Sequence, residues 1–527
     1  MRKIKLFIAS VSLLILGSCN DYLESEPYTT ITDVNFYKTP EDAYKALVGV
    51  YDGLQRMYSS WNGLVVLSEV CSDNTFGGGG NADGYGVQLL DEFDFSRSPS
   101  DNSIMFDNWR NGYRAIYRCN VLLSKLNGIE WGDDEATSPV YEAETRFIRA
   151  LAYFDLVRFF GNVVFLTEPS TENLPQSEPD PVYALIAEDL QFAINNLPAT
   201  SYSAQSPSDH GRVTKWAAEA LMGRVFLFYT GYYQKPDLAG ITKAQVLGYL
   251  EDVIANSGHE LLPDFSSLWP AASLENYAGE RNPENIFNIK YTYTSSYNGD
   301  VDGNHWLVMM GVRGGNYTPY GQGWGVGTVN PKLWDAYATT DTRKTASIIS
   351  IQDEGIDFNK VDQREYTGYF NKKYTPMSDD AGQSLAVKLG GVDFQIGQYQ
   401  DLIIMRYADV LLMAAELESP NAQEYFDAVR ERAHGASFTS IPVSKANILE
   451  ERRLEFAFEG IRYWDLLRQG VDVAAATIAE STILLNGGVE TAKTISASNI
   501  TGKKGLQQIP DSEITLSNGV LKQNEGW

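Results

Sequence analysis

"LEERRLEFAFEGIRYWDLLRQG", residues 449–470, sets dense charge among large apolar side chains, and its reading decides the fold class. "KANILEERRLEFAFEG" (445–460) and "IRYWDLLRQG" (461–470) read as helices, and Leu454, Phe458 and Ile461 or Arg462 fall at helical spacing. Arg452, Arg453, Glu455 and Glu459 are placed to pair within and between helices. Such a segment builds scaffold; it does not mark a ligand site.

Working outward, "LIIMRYADVLLMAAEL" (402–417) puts Tyr407, Val410, Leu411 and Ala414 on one face. "NAQEYFDAVRERAHG" (421–435) continues the helical texture. In the first half, "FDNWRNGYRAIYRCNVLLSKLNG", "YEAETRFIRALAYFDLVRFFG", "PVYALIAEDLQFAINNLP" and "GRVTKWAAEALMGRVFLFYTG" carry the same stripes. These end at residues 128, 161, 197 and 231, three of them on glycine, where a helix C-cap favours positive φ. The spacing of 33, 36 and 34 residues matches the tetratricopeptide period of about 34, although one helix plus a long loop fills each interval. "PEDAYKALVGVYDGLQRMY" (40–58) opens on proline and acidic residues, as helix N-termini prefer.

From 257 to 400 the texture changes to glycine, tyrosine, asparagine and short β-like runs such as "NIFNIKYTY". Loops hung on a helical scaffold are where binding usually resides. The chain after 470 reads as coil ending in Trp527.

At the other end, "LLILGSCNDYLESEP" (13–27) turns abruptly from greasy to acidic at a cysteine. Arg2, Lys3 and Lys5 precede an apolar segment from Leu6 to Leu16, shorter than the ~20 residues that span a bilayer. Leu16-Gly17-Ser18-Cys19 resembles a bacterial lipobox, so cleavage before Cys19 and acylation of its thiol are expected. Acyl chains then hold a soluble body at a membrane, at ~0.8 kcal/mol per buried methylene.

Composition narrows the function classes. The formal charge of −26 becomes −29 once Arg2, Lys3 and Lys5 are removed, which disfavours nucleic acid and anionic headgroups as partners. Aromatic side chains make up 12% of the chain, enough to leave some for exposed platforms once a core is filled. Four histidines leave little for imidazole catalysis or metal binding, and no metal or cofactor is expected. Cys71 and Cys119 are free to pair or not, since a chain this long needs no disulfide staple.

The stretches 449–470 and 402–417, together with "IPDSEITLSNGVLKQNEGW" (509–527), the lipobox and "FYKTPEDAYKALVGVYDGL" (36–54), resemble the SusD/RagB family of nutrient-uptake lipoproteins. The resemblance runs over nearly the whole mature chain. It implies a mainly α fold, a helical scaffold with tetratricopeptide-like pairs and a loop-rich irregular lobe with short strands. It also implies a lipoprotein of the Gram-negative outer surface, a glycan ligand, a SusC-like TonB-dependent transporter as partner, and no catalysis. The expected organisation is a signal peptide (1–18), a tether (19–35), a helical part (36–256), a ligand lobe (257–400) and a C-terminal helical part (401–527), intertwined as one domain.

Sugar rings stack on aromatic faces and their hydroxyls need planar polar partners. Two loops fit. "SDNTFGGGGNADGYG" (72–86) offers Asp73, Asn74, Asn81, Asp83 and Tyr85 around four glycines that let a ligand approach the backbone. "NGDVDGNHWLVMMGVRGGNYTPYGQGWG" (298–325) offers Trp306, Arg313, Tyr317, Tyr320 and Trp324 without a helical apolar stripe, so exposure is expected. Trp61, in "YSSWNGL", is a further candidate.

Other motifs fail on their own chemistry. Asn298, Asp300, Asp302 and Gly303 open like a calcium loop, but Met309 stands where a bidentate glutamate is required. "GQGWGVG" lacks the Lys-Ser/Thr of a phosphate loop. A glycosidase needs a carboxylate pair ~5–9.5 Å apart, which no local motif singles out. A transporter lid with little glycan affinity, or a peptide importer, are the alternatives to a glycan binder.

Overall fold

The computed structural model describes residues 36–298, 302–315 and 317–527. Cys19 and residues 1–35 lie outside them, as do Asp300 and part of the 298–303 loop. The first described helix, α1 (Pro40–Ser59), starts on a capping box: Asp42 N–H donates to the Thr39 hydroxyl, and Thr39 N–H donates to the Asp42 carboxylate. Its buried Ala43, Leu47, Val50, Leu54 and Met57 recur every three or four residues, the stripe that seats it on the core.

Next come α2 (Leu64–Val70), α3 (Phe106–Lys125), α4 (Ser138–Phe160), α5 (Pro179–Asn196), α6 (Lys215–Tyr232) and α7 (Lys243–Asn256). From α3 onward each packs against its successor, and α1 lies on α3. The 34-residue rhythm is thus one helix per interval, paired across the long loops. Gly161 does cap α4, at φ +68°.

Gly231 differs from its expected role. It lies inside α6, which runs on to Tyr232, and it is small because another backbone passes close by. A Cβ there would stand 2.4 Å from the Arg468 carbonyl oxygen and 3.0 Å from Arg468 Cβ. We expect Gly231→Ala to destabilise the protein by about 1–3 kcal/mol despite its gain in helix propensity, read as a lower urea midpoint.

Strands are few and short. β1 (Thr75–Gly78), β2 (Asn285–Ile289), β3 (Val326–Val329) and β4 (Leu402–Arg406) form two antiparallel pairs, β1 with β3 and β2 with β4. α8 (Trp306–Met310) interrupts the loop-rich region. α9 (Tyr407–Glu416) then packs on α7 and on α10 (Ala422–His434), and α11 (Lys445–Glu455) and α12 (Arg462–Leu467) follow. β5 (Glu480–Asn486) and β6 (Val489–Ile495) make a hairpin, and α13 (Asp511–Leu516) lies in the tail, which is therefore not all coil. No helix of the described residues is long and apolar enough to cross a membrane. Cys71 and Cys119 are buried free thiols.

The 449–470 stretch forms parts of two helices, as expected, but the first ends sooner than Gly460. It breaks after Glu455, where Phe458 and Gly460 take φ of +68° and +71°, and resumes at Arg462. The break turns its charges toward different partners. Glu455 meets Arg343, Arg406 and Arg432; Glu459 meets Arg406 and Lys373; Arg452 meets Asp409 and Asp465. Burial pushes the Glu455 carboxyl up, but Arg432, Arg406 and Arg343 outweigh it and hold it far below its ordinary value.

Glu69 of α2 behaves oppositely. It accepts from Gly460 N–H at 2.8 Å, and burial pushes its carboxyl up to about 7 against that bond and the Asn74 amide. Because the folded value exceeds the unfolded one, its protonated form favours folding most below about pH 4. That stability is lost as pH rises through about 7. Glu69→Gln has no such loss, so relative to the parent it is expected to gain ~2–3 kcal/mol between pH 4 and 8. Urea unfolding across that range checks this, and a flat parent–variant difference contradicts it.

Candidate functional site: an aromatic platform

The β1–β3 pairing joins two loops that lie some 250 positions apart in the chain. Thr75 faces Val329 and Gly78 faces Val326, and Gly79 N–H donates to the Gly325 carbonyl at 2.7 Å. Arg313 then ties the ends of both loops, donating to Asp83 at 3.1 Å, to Asp362 at 3.0 Å and to the Trp324 carbonyl at 3.1 Å. Arg364 donates to the carbonyls of Asn81, Asp83 and Gly84 and lays its guanidinium 4.0 Å above the Tyr85 ring.

The glycine run serves this closure, which corrects its reading as a ligand cradle. A Cβ on Gly80 would collide with the Arg313 guanidinium, and one on Gly78 would stand 2.4 Å from the Gly325 carbonyl oxygen. The chain itself fills the space the glycines leave.

Beside Arg313, Trp324 stacks on Trp61 with ring centroids 4.8 Å apart and planes 12° from parallel. The His305 ring lies 5.2 Å from the Trp61 ring, tilted 39° to it. Both indoles are half-buried, and neither indole N–H has a hydrogen-bond partner among the described residues. Burial pushes His305 down to about 4, with Asp393 pulling it back, so the imidazole is neutral at pH 7. The Tyr297 ring, 67% exposed, donates its hydroxyl to Asp393. Sequence reasoning missed His305, Tyr297, Asp393 and Arg364. Tyr297 stood one residue outside the singled-out loop, and no local signal marked Asp393.

Several expected residues lie elsewhere. Trp306 is 0% exposed, packed edge-on to Tyr374 at 5.0 Å, so it offers no face to a sugar. The five-residue helix α8 turns it inward, a turn too short to leave a stripe in the sequence. Asn74 is fully buried and accepts from Arg453. Asp73 is held by Arg462 at 2.7 Å and Arg453 at 3.1 Å, which bring its carboxyl below the ordinary value against burial. Tyr320 is buried and donates to Glu354 at 2.6 Å. Tyr317 is half-buried on Phe358. Asn81 and Tyr85 are exposed, Asn81 donating to the Val361 carbonyl at 2.6 Å.

What remains is a neutral aromatic pair beside Arg313, which bonds the Trp324 backbone and carries Asp83 and Asp362 with it, on a surface built by segments from four parts of the chain. Residues 359–527 match the model of the SusD family, and residues 21–227 match a model described as starch-binding, associating with outer membrane. The chain belongs to the SusD family. A laminarin binding SusD-like protein of solved structure is 29% identical, with 93% of this chain and 100% of that one covered and a TM-score of 0.74. Surface glycan-binding protein A from Bacteroides fluxus is 26% identical, with the same coverage and a TM-score of 0.77. SusD-like protein P25 from Formosa agariphila is 27% identical over 503 residues, 86% of this chain and 87% of that protein. As in these SusD relatives, the scaffold is mainly helical.

Proposed function

We propose that this SusD-family chain is a cell-surface lipoprotein that captures saccharide and passes it to a TonB-dependent transporter of the outer membrane, by binding and without catalysis. The likeness along nearly the whole chain to proteins named for laminarin and surface-glycan binding supports the ligand class. The observation that carries it to a place is the Trp61–Trp324 stack with its open indole donors, next to the Arg313, Asp83 and Asp362 cluster that is bonded to the Trp324 backbone. Ring C–H faces would lie on the indoles, and hydroxyls would meet the planar charged groups. The lipobox at Leu16–Cys19 supports the anchor.

The test is electrophoretic retardation of the chain from Asn20 in gels carrying laminarin, starch or other polysaccharides, with Trp61→Ala and Trp324→Ala alongside. Retardation by one glycan, lost in a folded tryptophan variant, supports both ligand class and platform. Retardation that both variants keep overturns the platform. No retardation by any glycan favours a transporter lid or peptide cargo.

A further inference from the structure

A second cleft, of about 790 Å³, opens between α1, α3 and α13. Its volume is that of a small-molecule site. In a chain of net charge −26, one wall carries four arginines: Arg56 on α1, and Arg110, Arg114 and Arg118 on α3. The last three recur every four residues, so they form a row with steps of about 6 Å along one helix face.

Their pairing is uneven. Arg56 and Arg118 share Asp52, and Arg110 meets Asp107 at 3.0 Å. Arg114, between them, has no ion pair among the described residues and donates to the Asn111 side-chain oxygen Oδ1 at 3.3 Å. Partial burial and the neighbouring charges of Arg110 and Arg56 press on its charged form, a pressure that an anion would relieve. The far rim holds Glu172 and Glu513, neither in an ion pair among the described residues, and Tyr117 stands 53% exposed on the arginine side.

We propose that this cleft binds an acidic saccharide, its carboxylate or sulfate on Arg114 and its hydroxyls donating to Glu172 and Glu513. A guanidinium recognises either oxyanion by paired N–H donors. The two-sided lining favours a sugar over a uniformly anionic partner, because the glutamates repel a second anionic group but accept from hydroxyls. Charges elsewhere on this acidic chain are screened beyond about 8 Å at physiological salt. The cleft's own groups therefore set the local field, in which Asp52 and Asp107 offset their arginines and leave Arg114 as the cation unpaired among the described residues. The saccharide half of the proposal rests on the glycan reading above, while the anion half does not.

The test is retardation of the chain from Asn20 by polygalacturonate, dextran sulfate and unmodified dextran, with Arg114→Gln, Arg114→Lys and Trp324→Ala, and a polyglutamate competitor. Arg114 is exposed and makes one side-chain bond, so its replacement leaves the fold intact. The expected result is stronger retardation by an acidic polymer than by dextran, an excess that falls about tenfold in Arg114→Gln, is partly restored in Arg114→Lys, and persists in Trp324→Ala even as that variant loses the platform's share of retardation by both polymers. Polygalacturonate against dextran sulfate tells carboxylate from sulfate. Equal retardation by acidic and neutral polymers, or no change in Arg114→Gln, overturns the site. Competition by polyglutamate as strong as by the acidic saccharide overturns it in favour of an acidic protein segment. Loss in Trp324→Ala with Arg114→Gln unaffected would leave the platform standing and this cleft empty.

Discussion

Arg406→Met is expected to lower stability by about 3–5 kcal/mol, the range for stripping one partner from a buried ion pair. Arg406 is 1% exposed at the end of β4 and donates to Glu284 at 2.6 Å, to Glu455 at 2.8 Å and to Glu459 at 2.8 Å. Removing it leaves three carboxylates sharing fewer cations in a site that water does not reach. Arg432 still reaches Glu284 and Glu455, and Lys373 still reaches Glu459, which keeps the loss from being larger. Arg406→Lys is expected to recover little, because one ammonium cannot reproduce a guanidinium fork bonded on three sides. Urea unfolding of both variants decides the matter. A loss under about 1 kcal/mol in the Met variant would show that the network is replaceable by apolar packing.

The second large effect is on binding. Trp61→Ala and Trp324→Ala are each expected to weaken saccharide binding at least tenfold, about 1.4 kcal/mol or more, as truncation of a central aromatic anchor does. Because the rings stack at 4.8 Å, losing one also removes the wall that holds the other. The double variant is therefore expected to fall short of the sum of the singles. Trp306→Phe is the control: its buried ring packs on Tyr374, so it should lower the unfolding midpoint and leave affinity unchanged. Calorimetric titration with the retarding glycan, beside circular dichroism of each variant, separates the two outcomes. Affinity lost in Trp306→Phe but kept in both other variants would reverse the assignment.

Much of the scaffold was legible in the sequence because its causes are local. The start of α1 on Pro40 with Glu41 and Asp42 in its first turn lies within a few residues and appears as read. The charges of 449–470 were read as pairing between helices, and they do so. The division into two helices near Gly460 was legible, but not the early end of the first at Glu455, since the spacing of Phe458 to Leu454 still fits a helix.

The candidate site was legible as two loops and not as a surface. Composition distinguished neither tryptophan of the 298–325 loop, yet Trp306 is sealed in the core while Trp324 lies half open on Trp61. Asp73 and Asn74 carried the right chemistry, but Arg462 and Arg453, nearly 390 positions later, consume it in structure. Helical period and capping act within about four residues, so the sequence by itself determined the helices, their stripes and the family likeness. Burial and ion pairing depend on segments brought together from across the chain, so tertiary structure alone decided which aromatic faces stay open and which charges remain free.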